Sequence, residues 1–167
     1  MLKLSLECGK PAAVRYPRGT AKKKREGAEP VVYGKAEVLA RGKDVALLSF
    51  GSMLDACMEA KKILEESGYS VSLVNMRFAK PLDEEVVKEM LESHPLVLTA
   101  EDGMISGGAG ERIAAIAAGS KESARVLSAG VPDTFVPQGE PQELYHLYRM
   151  DGEGIALTVK EALEAVE

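Results

Sequence analysis

The 167-residue chain has no tryptophan, only two cysteines and two histidines, and few aromatic rings (five Tyr, three Phe). Cys8 and Cys57 are too few for a disulfide scaffold, and no second pair exists to complete a zinc site. Both read as small apolar residues in a reducing cytoplasm. No apolar run approaches the roughly 18 residues that cross a bilayer, and Met1-Leu-Lys-Leu-Ser-Leu-Glu7 lacks the pattern of a signal peptide. A net charge of −5 provides no general affinity for nucleic acid or anionic membrane. The expectation is a cytoplasmic, soluble chain that binds neither.

What is present is ordinary globular stock. The chain is 46% apolar and 28% charged, and its length suits one domain with a sizeable core. Residues 20–30 show no apolar periodicity and carry the basic run Lys22-Lys-Lys-Arg25, so they read as an exposed connector. Val31 to Leu39 alternates weakly and faces Val45 to Phe50 across Arg41-Gly-Lys-Asp44, which predicts a hairpin. From there strands and helices take turns. Leu54 to Ser67 has helical spacing with Gly68 as its stop, Val71 to Val74 is a strand, and Asp83 caps a helix to about Ser93. Leu96 to Ala100 and Ala124 to Ala129 are strands around an Ala-rich helix, Glu111 to Ala118, and two helices near 141–148 and 155–166 close the chain. Such alternation requires crossovers and hence a covered, mostly parallel sheet. The fold class is therefore α/β, a three-layer open sheet with one antiparallel edge strand.

Ligands in such sheets gather where loops leave the carboxyl ends of the strands. Glu101 and Asp102 follow one strand there. An acid/base pair is one reading, but neighbours in an extended segment point apart, so structural hydrogen bonding is favoured. Gly107-Gly-Ala-Gly110 could offer N–H groups to a phosphate, yet it lacks the dinucleotide spacing, and close packing of a helix start is the better use. His94, before Pro95, can meet the last carbonyls of its helix, and His146 reads as a surface or packing residue. The remaining feature is Ala13-Val-Arg-Tyr-Pro-Arg-Gly19. Pro17 stiffens this stretch and splays Arg15 from Arg18, so each planar guanidinium could meet a carboxylate or phosphate. Taken alone, the segment reads more simply as a strand end whose charges meet solvent or a nearby acid. The residues by themselves reveal no catalytic centre.

The ordered set Arg15-Tyr-Pro-Arg-Gly19, Phe50-Gly-Ser52, Met76-Arg-Phe-Ala-Lys-Pro-Leu-Asp83, Gly107-Gly-Ala-Gly110 and Pro132-Asp-Thr-Phe-Val-Pro-Gln-Gly139 resembles the C-terminal end of the 1-deoxy-D-xylulose-5-phosphate synthase family. The likeness covers essentially the whole chain. It implies that residues 1–30 are the tail of a preceding pyrimidine-binding domain plus a connector, and that 31–167 form a transketolase C-terminal-like domain. It also implies a dimeric transferase that condenses pyruvate with glyceraldehyde 3-phosphate, releasing CO₂, with thiamine diphosphate and Mg²⁺ in the full enzyme. The product would feed isoprenoid, thiamine and pyridoxal biosynthesis. By the same resemblance Arg18 helps hold the phosphate of the acceptor aldehyde; Arg15 keeps its structural reading from the residues alone. The family's G-D-G cofactor motif is missing, since Glu101-Asp-Gly103 and Met150-Asp-Gly152 lack its first glycine. The expectation is a domain inactive by itself, binding no cofactor alone. Two alternatives stay open: the same domain of a 2-oxo-acid dehydrogenase β subunit, and a stand-alone module that binds a small anion at Gly107 to Gly110.

Overall fold

A computed structural model describes residues 1–16, 27–120 and 124–165. Among these, five strands form one sheet in the order β1-β3-β2-β4-β5. The strands are β1 (Glu37–Ala40), β2 (Val45–Ser49), β3 (Val71–Asn75), β4 (Leu96–Met104) and β5 (Arg125–Val131). All neighbours run parallel except β1 and β3. The helices are α1 (Leu2–Glu7), α2 (Leu54–Glu66), α3 (Glu84–Ser93), α4 (Ala109–Ala118), α5 (Pro141–Leu147) and α6 (Gly152–Glu164).

The central strand β2, Val-Ala-Leu-Leu-Ser, is buried along its whole length. Val45 and Leu47 point to one face, where Cys57, Ala60 and Leu64 of α2 meet Ile155 and Val159 of α6. Ala46 and Leu48 point to the other, against Val87 and Met90 of α3 and Ile113 of α4. Two covered faces are why this strand reads as an unbroken apolar run rather than an alternating one. Helix α2 ends where Gly68 turns left-handed at φ 94°, and the Tyr69 N–H reaches back to the Leu64 carbonyl. That closure satisfies a terminal carbonyl of the helix, and the stop was legible in the glycine.

Two expectations need correcting. The first antiparallel strand is shorter than 31–39 and does not form a hairpin with β2: it pairs with β3, Glu37 opposite Asn75. β3 lies between β1 and β2, so the connection 41–44 must pass over the start of β3. There the N–H groups of Lys43 and Asp44 both donate to the Ser70 carbonyl, and Asp44 accepts from Ser70 N–H at 2.6 Å. Second, Asp83 stands at the start of α3 but makes no side-chain cap. Its carboxylate instead accepts from the Ala36 N–H at 3.0 Å and lies 3.5 Å from Lys35 Nζ, fastening the chain before β1 to the start of α3.

His94 is buried at the end of α3. Its Nδ1 lies 3.0 Å from the Met90 carbonyl, as expected for a helix-end imidazole, and its Nε2 is 2.8 Å from the Ser72 hydroxyl. That hydroxyl in turn accepts from the Gly42 N–H at 2.8 Å, so the ring helps hold the crossing connection.

Candidate functional site

Strand order reverses at β2, whose neighbours are β3 on one side and β4 on the other, so the loops leaving β2 and β4 diverge and open a crevice. Four separate parts of the chain meet at that carboxyl edge. Ser52, in the 3₁₀ turn Gly51–Met53 after β2, donates its hydroxyl to Asp102 Oδ2 at 3.2 Å. Asp102 lies where β4 leaves the core, and Tyr145 comes from α5. Burial, and then the negative charge of Asp102, hold the Tyr145 hydroxyl pKa above its ordinary value, while the positive charge of Arg15 pulls it back. Arg15 arrives from the N-terminal segment: its Nη1 lies 3.4 Å from where a Cβ on residue 103 would sit, so Gly103 leaves the guanidinium its place. Beside this cluster runs a groove of about 280 Å³ walled by Val131, Val136, Leu144 and Tyr148, with Asp102 as its acidic end.

Glu101 and Asp102 do point apart, as adjacent residues of an extended segment must. Glu101 turns to α4, where its two oxygens accept the N–H groups of Ala109 and Gly110, each at 3.0 Å. A carboxylate at a helix start offsets the unsatisfied donors and the dipole's positive end. The glycines serve this packing. A Cβ at Gly108 would lie 2.4 Å from Glu101, and one at Gly110 within 2.5 Å of Ser128 and Thr99. The Gly107 N–H donates to Glu111 at 2.8 Å and that of Gly108 to the Ile105 carbonyl. All four donors of Gly107 to Gly110 are thus taken by the chain's own oxygens, and an external anion would have to displace a carboxylate.

Arg18 lies outside the described residues. His94 and Cys57 are buried core residues. His146 is exposed, 2.7 Å from Asp151, whose other oxygen caps α6 by accepting from Gly154 N–H. Sequence reasoning gave no role to Ser52 or Tyr145, and it passed over an ion pair at the neighbouring carboxyl end of β3. Arg77 Nη2 lies 2.7 Å from Glu37 Oε2, both side chains less than a tenth exposed. Arg77 also donates to the Glu29 and Pro30 carbonyls at 3.0 and 3.1 Å, and Glu37 accepts from Asn75 Nδ2 and from the Glu29 N–H. Arg77 has φ 57°, a left-handed conformation costing an arginine roughly 1–3 kcal/mol that its surroundings must offset. The place of Arg77 inside Met76-Arg-Phe-Ala-Lys-Pro-Leu-Asp83 was the available signal; its acid partner, 40 residues earlier, was not.

Known proteins are similar to this chain in sequence and in fold. A family model described as the transketolase C-terminal domain matches residues 34–155. The 1-deoxy-D-xylulose-5-phosphate synthase of Histophilus somni is 38% identical over 99% of this chain and 26% of its own length, and that of Nitrosomonas europaea 38% over 96% and 26%. The chain thus spans about a quarter of the length of the curated relatives it matches. Among solved structures, a split-gene transketolase, described as an inactive β4 tetramer, superimposes with a TM-score of 0.79 at 29% identity, covering 88% of this chain and 48% of that one. A Pichia stipitis transketolase in complex with xylulose 5-phosphate shares the fold at 20% identity and TM-score 0.58, over 78% of this chain and 18% of its own. With the sheet order, the single antiparallel edge and the family match agreeing over most of its length, this chain belongs to the transketolase C-terminal domain family, among relatives that are 1-deoxy-D-xylulose-5-phosphate synthases.

Proposed function

We propose that this chain serves as the C-terminal domain of a 1-deoxy-D-xylulose-5-phosphate synthase, a cytoplasmic homodimer that condenses pyruvate with glyceraldehyde 3-phosphate and feeds isoprenoid, thiamine and pyridoxal biosynthesis. The observation that carries the reading is the likeness to these synthases across 99% of the chain, at 38% identity. The same likeness favours a synthase over a 2-oxo-acid dehydrogenase β subunit. The filled donors of Gly107 to Gly110 count against a stand-alone anion-binding module.

In that enzyme thiamine diphosphate and Mg²⁺ supply the carbanion chemistry. The residues of this chain do not fit that cofactor. The sequence has no G-D-G, and no group of three or more His, Cys, Asp or Glu among the described residues could hold its metal ion. Our reading assigns the cofactor and the bond-making steps to other domains of the enzyme. The contribution of this chain is binding: Arg18 holds the phosphate of the acceptor aldehyde. Residues 1–30 comprise the tail of a preceding pyrimidine-binding domain plus a connector, and 31–167 form the C-terminal-like domain. Support for the first part comes from α1, which buries no residue and leaves Leu2 and Leu6 exposed.

The test is an assay with pyruvate and glyceraldehyde 3-phosphate, with thiamine diphosphate, Mg²⁺ and separately supplied N-terminal domains. Product is expected only when both parts are present. Arg18→Ala in the complete enzyme is expected to raise KM for the phosphorylated aldehyde by about ten- to a hundredfold, the loss of a charge-assisted contact of about 1.5–3 kcal/mol. KM for pyruvate stays near its original value; an equal rise for both substrates would contradict the assignment.

A further inference from the structure

We propose that residues 132–148, between β5 and α6, carry a docking surface for the pyrimidine-binding domain that precedes this chain in the complete enzyme, a step that rests on the synthase reading above. The surface is an apolar patch around Phe135 with an acidic rim. It fits an apolar partner face fringed by Lys and Arg.

Phe135 is fully exposed, and Met104, Val136 and Leu147 are each more than two-fifths exposed. All four border one groove. Val136 lines it, Phe135 precedes Val136 in the chain, Leu147 follows the lining Leu144 by one turn of α5, and Met104 pairs with the lining Val131. Single exposed apolar side chains are ordinary, but several around one cavity mark a contact surface. The patch is also held outward. Pro132 and Pro137 stiffen the chain on either side of Phe135, and the Thr134 N–H donates to the Pro132 carbonyl at 2.8 Å in a tight three-residue turn. α5 starts on Pro141, and the Glu140 N–H donates to Glu143 at 3.4 Å, local ties for a helix that buries no residue. A display already stiff lowers the ordering cost of docking. Around it Asp133, Glu140 and Glu143 are exposed, and no Lys or Arg stands between Gly130 and Tyr148, so the matching fringe is basic.

The course of the chain names the occupant. Arg15 sits against Gly103, and its charge reaches Tyr145, a residue of the groove, so the N-terminal segment arrives at this same edge. α1 ends at Glu7, only eight residues, or roughly 29 Å of extended chain, before Arg15. With α1 as the tail of the preceding domain, that domain is tethered within reach of the patch. The tether gives it an effective concentration that a second copy lacks.

Because Phe135 is fully exposed, Phe135→Asp is expected to leave the melting temperature of the 167-residue chain unchanged. Mixed with separately supplied N-terminal domains of the synthase, the variant is expected to bind about ten- to a hundredfold more weakly in calorimetry than the original chain, the loss of one buried aromatic anchor. Association of the original chain should slow as salt is raised; a rate indifferent to salt would strike out the basic fringe. In the complete enzyme, amides of 133–148 are expected to exchange more slowly than in the chain alone, and equal exchange would overturn the proposal. If the original chain binds the N-terminal domains and restores product while Phe135→Asp binds them equally well, the docking surface is refuted and the synthase reading stands. If Phe135→Asp alters only self-association of the chain in sedimentation equilibrium, a second copy is the occupant and the proposal is again overturned. If the original chain neither binds those domains nor restores product, the synthase reading has failed and the docking surface falls with it.

Discussion

Cys57 shows how a single residue answers to its surroundings. It is fully buried between α2 and the sheet, and burial pushes its thiol up to about 12 from the ordinary 9.0, against a smaller opposing influence of Ser49. Two outcomes are expected. A thiol reagent at pH 8 should label Cys8, which is partly accessible, and reach Cys57 only on unfolding. The pH dependence follows from the raised value. Below pH 9 the thiol is protonated in both states and contributes no slope. Above it the unfolded chain loses the proton and the folded chain keeps it, so stability falls by up to about 1.4 kcal/mol per pH unit between about 9 and 12. Urea titrations across that range should show this slope in the original chain and a shallower one in Cys57→Ala; identical slopes would exclude Cys57 as the source.

At the scale of elements, the decisive event is that β3 inserts between β1 and β2. The crossing connection then presses on the β3 backbone so closely that a Cβ at Gly42 would lie 2.4 Å from Val71 N and 2.5 Å from two neighbouring main-chain carbons. Backbone cannot swing aside as a side chain can. Gly42→Ala is therefore expected to cost about 1–3 kcal/mol or more, an overpacking loss, read as a lower denaturant midpoint with an unchanged m-value. By contrast, Gly51→Ala meets no atom within 4 Å and carries only the strain of its left-handed φ of 59°. Gly42 was visible in the sequence as a turn residue, but the reason it must be glycine is not. Turn chemistry predicts a hairpin there, and only a strand 30 residues downstream explains the close approach. Alternating strands and helices, by contrast, were legible because each is written in a local period, and the stop at Gly68 because a left-handed cap is a local need.

For the whole molecule, the question is where the sheet-bearing unit begins. α1 buries nothing, whereas Glu29 and Pro30 are tied to Arg77 and Glu37. A chain of residues 27–167 is expected to melt close to the full chain. One of residues 31–167, which strips two carbonyls and an N–H from a buried pair, should lose about 1 kcal/mol and roughly 2–4 °C in Tm. Equal midpoints for the two truncations would show that these contacts add nothing to the unit's stability.

Taken by themselves, the residues determined the layered α/β class, most element positions, the antiparallel edge and, through ordered motifs, the family. Periods of two and 3.6, glycine stops and short motifs act within a few residues, so they survive in a linear reading. The partner of β1, the outward turn of Asp102 toward Ser52 and Tyr145, the filling of the glycine loop by Glu101 and the pairing of Arg77 with Glu37 were decided only by the tertiary structure. Each joins groups far apart in the chain, and which of several acids meets a given donor depends on burial and register that exist only once the sheet has assembled.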